Sequence, residues 1–437
     1  MSYREDTVFA PSTAIGGAIA VIRVTGPDAF RVAELTDRPF PEGFGRMRFM
    51  RMSDRGEAID DIMAVRFGAP HSYTGEDMVE INCHGGARTV QRVLQALSGL
   101  GFRPAEGGEF TRRAFLNGKM ALSEAEAVMD IITAEAERSR KAAVAQLHGS
   151  VHRCVSAVED ALLDALSGVD AAIDYPDEAE AECTETLPAV LDTQERELRR
   201  LIGEGRKGRV LRDGLNVLIL GRPNVGKSSL MNALTGHDRA IVTDLAGTTR
   251  DVLDEKVSFD GVPVRLIDTA GIRETDDPVE KIGVDRALGE LGKADVLLLL
   301  LDGTTEPTAE DRELLDRTKD FPARVIVSNK MDLAGYAAAE GAVPVSAKNA
   351  EGLEALKQAV LALAAPAEGD AVSVTNERHI RALEDAHAFI AHAATQDDLD
   401  CAATDIREAL HALGQITGRD VDAEVIDRIF SRFCVGK

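Results

Sequence analysis

The chain has 437 residues and a formal net charge of −24, and 44% of its residues are hydrophobic. This length is typical of about three domains, and this apolar fraction suffices to bury ordinary cores. The acidic excess argues against a protein that coats nucleic acid with a broad basic surface, because such contacts need an excess of Lys and Arg. The five cysteines form no C-x-x-C pair, which argues against a disulfide framework or a zinc site.

No stretch of the sequence predicts export or membrane insertion. The first ten residues lack a basic segment followed by an apolar one, and the strongest apolar run, Val296–Leu301, is too short to cross a bilayer. We therefore expect a cytoplasmic protein whose cysteines are reduced.

The first segment, residues 1–117, predicts a small mixed α/β domain. The apolar "AIAVIRV", the alternating "DIMAVRF" and the turn-rich "HSYTGEDMVEI" precede "ARTVQRVLQALSGLG", a helical pattern that ends at glycine. Such frequent changes of pattern are typical of short strands joined by turns.

Two helical segments flank the middle of the chain. Residues 118–212 carry a long run rich in Ala and Glu, and Ser123 with Glu126 predicts a capping box at its start. Residues 373–437 again show apolar positions at helical spacing. Because each apolar stripe needs a partner, we expect both segments to pack together as one discontinuous helical bundle.

The middle segment, residues 213–372, predicts a nucleotide-binding domain inserted into that bundle. Its runs "LNVLIL", "ADVLLLLLD" and "ARVIVSN" alternate with helical patterns. Continuous apolar strands that alternate with helices are typical of a doubly wound, mostly parallel sheet.

The stretch "GRPNVGKSS" predicts a phosphate-binding loop. It fits G-x-x-x-x-G-K-Ser/Thr between a predicted strand and a predicted helix, the context in which such a match is specific. Backbone N–H groups and the helix N-terminus would attract phosphates, Lys227 would add a charge at the β and γ oxygens, and the Ser228 hydroxyl would bind Mg²⁺. A chance glycine-rich turn is the alternative, and the motifs that follow argue against it.

The motif "NKMD" predicts that the base is guanine. The Asp332 carboxylate would accept hydrogen bonds from the N1–H and the exocyclic amine, which adenine does not present together, and Lys330 would pack along the ring. The loop of Ser346, Ala347 and Lys348 would offer a backbone N–H to guanine O6. The nucleotide is therefore predicted to be GTP.

Two further motifs predict the segments that respond to the γ-phosphate. "DTAGI" follows a predicted hairpin with an Asp260-Gly261 turn. Asp268 would hold Mg²⁺ through water, and the Gly271 N–H would sense the γ-phosphate. In "GTTRD", Thr249 would close on the metal when that phosphate is present.

The residues leave open how the GTP is hydrolysed. Ile272 stands where Ras-type enzymes place the glutamine that orients the attacking water. Asn224 could instead help to bind a monovalent cation beside the phosphates, and Glu280 could polarise water. The alternatives, that Asn224 caps a turn and that Glu280 is a solvated helix residue, carry about equal weight.

These motifs together resemble the bacterial tRNA-modification GTPase family, MnmE or TrmE, over nearly the whole chain. The stretches "SYTGEDMVEINCHGG", "GEFTRRAFLNGKMALSEAEAV", "GRPNVGKSSLMNAL", "IVTDLAGTTRDV", "DTAGIRE" and "FCVGK" are similar to its signatures and stand in its order. Val435 replaces the isoleucine that is usual there. The resemblance implies a Ras-like P-loop G domain inserted into a discontinuous helical bundle, preceded by a small α/β folate-binding domain, in a homodimer.

The resemblance also implies the activity. Such proteins act with a flavoprotein, MnmG, which carries FAD, to add an aminomethyl or carboxymethylaminomethyl group to carbon 5 of a tRNA wobble uridine. The one-carbon unit comes from 5-formyl- or methylene-tetrahydrofolate. The folate positions correspond here to Arg23, Glu80, Lys119 and Lys437.

The resemblance further implies that K⁺ takes part in hydrolysis and joins two G domains. It makes Glu280 the water-orienting residue and Cys434 a residue needed for modification, so that both are catalytic candidates. The implied K⁺ ligands are Asn224, Thr243, Leu245 and Thr248, and the Mg²⁺ ligands are Ser228 and Thr249. The full predicted GTP-binding set is Asn224, Val225, Gly226, Lys227, Ser228, Ser229, Thr243, Asp244, Leu245, Ala246, Gly247, Thr248, Thr249, Asp268, Thr269, Ala270, Gly271, Asn329, Lys330, Asp332, Ser346, Ala347 and Lys348.

Two other functions are compatible with some of these motifs. A ribosome-assembly GTPase would share the nucleotide motifs, but it should carry a basic RNA-binding domain, and the flanking segments here are acidic. A folate enzyme that is merely regulated by GTP would differ only in where catalysis takes place.

Overall fold

The computed structural model describes residues 6–237, 254–268, 290–366 and 374–436. The strands are β1 Val8–Pro11, β2 Ile19–Thr25, β3 Arg48–Asp54, β4 Glu57–Phe67, β5 Met78–His84, β6 Arg103–Pro104, β7 Leu215–Leu220, β8 Asp254–Phe259, β9 Val262–Asp268, β10 Val296–Asp302, β11 Arg324–Asn329 and β12 Val343–Pro344. The α-helices are α1 Ala87–Gly99, α2 Glu109–Leu116, α3 Leu122–Thr133, α4 Glu137–Leu147, α5 Ser150–Asp174, α6 Pro176–Asp213, α7 Lys227–His237, α8 Ala309–Arg317, α9 Leu353–Ala364, α10 Glu377–Ala393, α11 Leu399–Thr417 and α12 Ala423–Phe430.

The chain divides into two compact units. One consists of Met1–Met129 with Gly414–Lys437, and the other of Asp130–Leu413. These boundaries fall inside helices α3 and α11. The domain scheme predicted from the sequence, with segments 1–117, 118–212, 213–372 and 373–437, therefore stays a prediction.

The first unit is built on a six-stranded sheet of order β3-β4-β5-β2-β1-β6. Its pairings are antiparallel except for β1 with β6. Alternation along β2 sends Ile22 and Val24 into a core that also contains Val90 and Val93 of α1. Arg23, between them, therefore points to the opposite face of the sheet.

The C-terminal residues complete this unit. Phe430 and Phe433 lie with their ring centroids 5.2 Å apart and share a core with Leu122 and Ala125 at the start of α3. The predicted capping box is wrong in its position: α3 begins at Leu122, so Ser123 lies inside the first turn. The Glu124 carboxylate accepts a hydrogen bond from the Ala121 N–H instead, at 2.8 Å.

The second unit contains the predicted doubly wound sheet, in the order β12-β11-β10-β7-β9-β8. Only the hairpin of β8 with β9 is antiparallel among these pairings. Alternate residues of β10 pack on opposite faces: Leu298 and Leu300 share a core with α7 and α9, and Leu297 and Leu299 share another with Leu314 of α8. Helices on both faces explain why the strand is apolar throughout.

The helices before and after this sheet contact each other, as predicted from their apolar stripes. Helix α6 packs against α10, and Arg206 forms an ion pair with Glu384 at 2.6 Å. Gly205 is buried at this contact, where a Cβ would lie 2.9 Å from Ile380 Cγ1 and 3.3 Å from Val374 Cγ1. The predicted fold class is therefore confirmed: an α/β nucleotide domain lies within a discontinuous helical region, after a smaller α/β domain.

The part of the chain that the structure describes contains no helix that is both long and apolar enough to span a bilayer.

The contact between α6 and α10 predicts opposite effects for two glycines of α6. Gly205→Ala should lower the free energy of unfolding by about 1–2 kcal/mol, because the new methyl group overpacks the helix contact. Gly203→Ala should raise it by about 0.5–1 kcal/mol, because Gly203 faces open space and alanine favours the helix. Guanidinium denaturation followed by circular dichroism measures both, and equal stabilisation by the two variants would disprove this packing.

Candidate functional site

The phosphate-binding loop connects β7 to α7. Gly226 has a φ of 102° and Asn224 a φ of 62°, so the loop turns through left-handed conformations that glycine and asparagine tolerate best. Lys227 Nζ lies 2.8 Å from the Gly221 carbonyl oxygen and 3.0 Å from that of Arg222. The lysine charge is therefore held at the rim of the loop, next to where phosphates would bind.

Asn329, at the end of β11, joins this loop to the base-binding side of the site. Its side-chain amide donates to the Val225 carbonyl at 2.8 Å, and its Oδ1 accepts from the Ala347 N–H at 3.0 Å. Asn329 is only 3% exposed. A Cβ on Gly226 would lie 2.3 Å from Asn329 Nδ2, so glycine is required for this close approach.

A second set of hydrogen bonds orients the carboxylate that would read guanine. Asp332 Oδ1 accepts from the Ser346 hydroxyl at 2.7 Å, and Ser346 is fully buried. The Ser346 Oγ in turn accepts from the Asn349 N–H at 3.2 Å. The base motif and the loop after β12 are thus joined by hydrogen bonds.

Lys330 has a partner that the sequence analysis did not identify. Its Nζ lies 2.7 Å from Asp302 Oδ2, at the end of β10. Asp302 Oδ1 also accepts from the Thr304 N–H at 3.0 Å and the Thr304 hydroxyl at 2.6 Å. Burial alone would raise the pKa of Asp302, but the hydrogen bonds from Lys330 and Thr304 outweigh it and lower the pKa to about 2. The carboxylate is therefore charged at any physiological pH.

The metal-binding side of the site is described only in part. Ser228 and Ser229 lie in the first turn of α7 and are exposed, and Asp268 is the last residue of β9, paired with Ile219 of β7. The remaining predicted residues of this side lie outside the described residues. These are Thr243, Asp244, Leu245, Ala246, Gly247, Thr248, Thr249, Thr269, Ala270, Gly271 and Glu280.

In the first unit, Arg23 and Glu80 lie side by side. They are paired residues of β2 and β5, and Arg23 Nε lies 2.8 Å from Glu80 Oε1. The Arg23 guanidinium lies over the ring of Tyr73, 5.3 Å from its centroid. Both charged side chains are about one-fifth exposed, at 21% and 22%, so a ligand can reach them.

Lys119 contacts the same loop that carries Tyr73. Its Nζ donates to the Pro70 carbonyl oxygen at 2.9 Å, and its Cγ would lie 3.1 Å from a Cβ on Gly75. The Asn117 side chain fixes this loop by donating to the Thr74 carbonyl oxygen at 2.7 Å. Arg23 and Lys119 therefore both contact the segment from residue 70 to residue 75, and Glu80 pairs with Arg23 beside it.

The C-terminal tail lies against the same domain. The Ser12 hydroxyl, just after β1, donates to the Gly436 carbonyl oxygen at 3.0 Å, and the Gly108 N–H donates to the Cys434 carbonyl oxygen at 3.2 Å. Cys434 is exposed. Lys437, the fourth predicted folate position, lies outside the described residues.

Sequence reasoning named Asn329 as a GTP-binding residue but missed its bridging contacts, and it missed Asp302 altogether. The sequence did contain an indication of the role of Asp302. This residue ends the apolar run of β10, and it therefore lies on the same edge of the sheet as the base motif. The role of Asn329 as a bridge had no such signal, because its two partners are 104 and 18 residues away.

Comparison with known proteins identifies the family. The model for the MnmE helical domain matches residues 122–434, and the model for the N-terminus of the GTP-binding protein TrmE matches residues 7–119. The tRNA modification GTPase MnmE of Symbiobacterium thermophilum is 42% identical over 455 residues, covering 99% of this chain and 100% of that protein. The chain belongs to the MnmE family of tRNA modification GTPases.

The MnmE protein of Carboxydothermus hydrogenoformans is equally similar, with 42% identity over 463 residues, 99% of this chain and 100% of that protein. The family resemblance predicted from the motifs is thereby confirmed. So are GTP binding and GTP hydrolysis: this member of the MnmE family is a GTP-hydrolysing enzyme.

The close approach of Gly226 to Asn329 predicts a loss of nucleotide binding. Gly226→Ala should weaken GDP binding by about tenfold or more, because the methyl group displaces the Asn329 amide from the Val225 carbonyl and strains a left-handed residue. Gly236→Ala is the matched control, because that glycine of α7 faces open space. Fluorescent-nucleotide titration measures both, and unchanged affinity for Gly226→Ala would show that the bridge is dispensable.

Proposed function

We propose that this MnmE-family GTPase modifies carbon 5 of a tRNA wobble uridine, together with the flavoprotein MnmG, its FAD and a tetrahydrofolate one-carbon unit. The product is an aminomethyl or carboxymethylaminomethyl uridine. The observation that carries the proposal is the polar cluster of Arg23, Glu80 and Lys119 around one loop in a chain that also holds a guanine-nucleotide site. A ribosome-assembly GTPase should instead carry a basic RNA-binding domain, and the formal net charge of this chain is −24.

The cluster has the chemistry that a folate needs. A carboxylate such as Glu80 suits the N–H donors of the pterin, and basic groups such as Arg23 and Lys119 suit the glutamate tail. Arg23 and Glu80 bind each other in the described structure. Both side chains are only about one-fifth exposed, so a ligand that separates them must itself satisfy both charges, as a folate with N–H donors and carboxylates would. Lys437 completes the proposed site, and exposed Cys434 would act in the modification.

Hydrolysis in the G domain would depend on two cations. Ser228 and Thr249 would bind Mg²⁺, and Asn224 with Thr243, Leu245 and Thr248 would bind K⁺. The described part of this set fits: Asn224 is exposed, and its left-handed backbone is compatible with presenting a side-chain oxygen beside the loop. K⁺ would supply the positive charge that an arginine finger supplies elsewhere, and Glu280 would orient the water.

The proposal includes a homodimer whose two G domains approach each other during hydrolysis. GTP would then drive a rearrangement and donate no group to the tRNA. A cation at Asn224 would lie at the mouth of the phosphate loop, on the exposed side of the domain, where a second G domain could contact it.

Deleting the gene should abolish the modified wobble uridine, and Arg23→Ala should fail to restore it while keeping normal GTP turnover. The reason is that Arg23 lies in the proposed folate site and not in the G domain. Mass spectrometry of tRNA nucleosides makes the measurement, with Arg31→Ala as control, since Arg31 forms an exposed ion pair with Glu34 in the same domain.

Unchanged wobble uridine in the deletion strain would overturn the proposed function. Full restoration by Arg23→Ala would overturn only the folate site.

GTP turnover should fall by about tenfold or more when Na⁺ replaces K⁺, because the proposed ligands select the larger ion. Asn224→Ala in K⁺ should be as slow as the unmodified protein in Na⁺. Asn232→Ala, an exposed asparagine of α7, should keep its K⁺ dependence. Steady-state phosphate release measures the rates, and equal rates in both salts would refute the K⁺ site.

A further inference from the structure

The ion pair between Lys330 and Asp302 sets the position of a residue in the base-binding motif. Lys330 follows β11 directly and has a φ of 70°, a left-handed conformation that a lysine rarely adopts. Such a conformation persists only where surrounding contacts impose it. The side chain extends from the end of β11 to the end of β10, where its Nζ reaches Asp302 at 2.7 Å.

The position of Asp302 follows from the sheet. Asp302 and Asn329 are paired residues at the carboxyl ends of β10 and β11, and the Gly303 N–H donates to the Asn329 carbonyl at 3.0 Å. Tyr336 packs on Gly303, where a Cβ would lie 2.2 Å from its ring. Asp302, which accepts from Lys330, therefore belongs to a hydrogen-bonded strand, and its backbone has little freedom to move.

Asp302 is used as an acceptor on both of its oxygens. Thr304 occupies Oδ1 through its N–H and its hydroxyl, and Lys330 occupies Oδ2. The side chain of Asp302 is only 10% exposed, against 30% for Lys330. Arg222 of the phosphate loop lies 3.8 Å from the same Oδ2 and 3.2 Å from Asp311. Asp302 thus lies between the guanidinium of Arg222 in the phosphate loop and the ammonium of Lys330 in the base motif.

We propose that Asp302 is a positioning residue for guanine-nucleotide binding, which acts by holding the stem of Lys330 as a preformed wall of the base slot. A lysine side chain loses much conformational entropy when it is fixed in one rotamer. Where the ion pair has fixed it beforehand, the nucleotide does not bear that cost on binding. The aliphatic stem then offers a flat apolar surface to the base while the charge stays at Asp302.

The test is Asp302→Asn in the full-length protein, with fluorescent GDP as the probe. GDP affinity should fall by about tenfold, mostly through faster release, because the neutral amide cannot hold the ammonium as firmly. KM for GTP should rise by a similar factor while kcat changes less than twofold, since Asp302 touches no reacting atom. Asp316→Asn is the matched control: Asp316, on α8, forms an exposed ion pair with Lys319, and its substitution should alter neither GDP affinity nor KM for GTP.

A double-mutant cycle separates positioning from a general structural effect. In the Lys330→Ala background, Asp302→Asn should have no further effect on GDP affinity, because the side chain that it positions is gone. Thermal unfolding in the absence of nucleotide shows whether each variant folds. The proposal fails if Asp302→Asn leaves GDP affinity unchanged, or if it lowers that affinity by the same factor with and without Lys330. Neither result depends on K⁺, folate or tRNA, so the outcome is independent of the proposed modification.

Discussion

The side-chain amide of Asn329 is the contact on which the nucleotide site depends. It is buried, and it uses its donor for the phosphate loop and its acceptor for the loop after β12. A buried amide that loses a partner costs about 1–3 kcal/mol, so both hydrogen bonds are retained together. The loop predicted to bind phosphates and the loop predicted to read the base are therefore joined through one side chain, and Gly226 is what permits their approach.

This arrangement follows from the order of the strands. Strands β7, β10 and β11 are neighbours and parallel, so their carboxyl ends lie at one edge of the sheet. The phosphate loop follows the end of β7, and Asp302 and Asn329 are the last residues of β10 and β11. Residues more than a hundred positions apart in sequence, such as Val225 and Asn329, thereby come within hydrogen-bonding distance. The ligand site is a consequence of the parallel sheet, as in other folds of this class.

The strands of this sheet and the nucleotide motifs could be predicted because each is a local signal: a buried apolar run, a turn at Asp260-Gly261, or a fixed spacing of glycine and lysine. The pairs of Arg23 with Glu80 and of Lys330 with Asp302 could not, because each depends on which strands are neighbours and in what register. The predicted capping box is an error of the opposite kind, because the local sequence pattern is present but the helix begins elsewhere. Ser123 matched the local pattern, but α3 begins at Leu122, two residues before the start that a cap at Ser123 predicts, and Leu122 shares a core with Phe430.

The hairpin of β8 and β9 connects the two segments that are predicted to respond to the γ-phosphate. Its turn contacts the helical region: the Arg138 N–H donates to the Gly261 carbonyl oxygen at 3.0 Å, and Lys256 pairs with Glu135 at 2.6 Å. The Arg138 guanidinium also donates to the Pro366 carbonyl oxygen at 2.6 Å, where the chain leaves α9. These contacts are two hydrogen bonds and one ion pair, and they involve backbone atoms as well as side chains. The turn of the hairpin is therefore joined by backbone and side-chain hydrogen bonds to the start of α4 and, through Arg138, to the segment that follows α9.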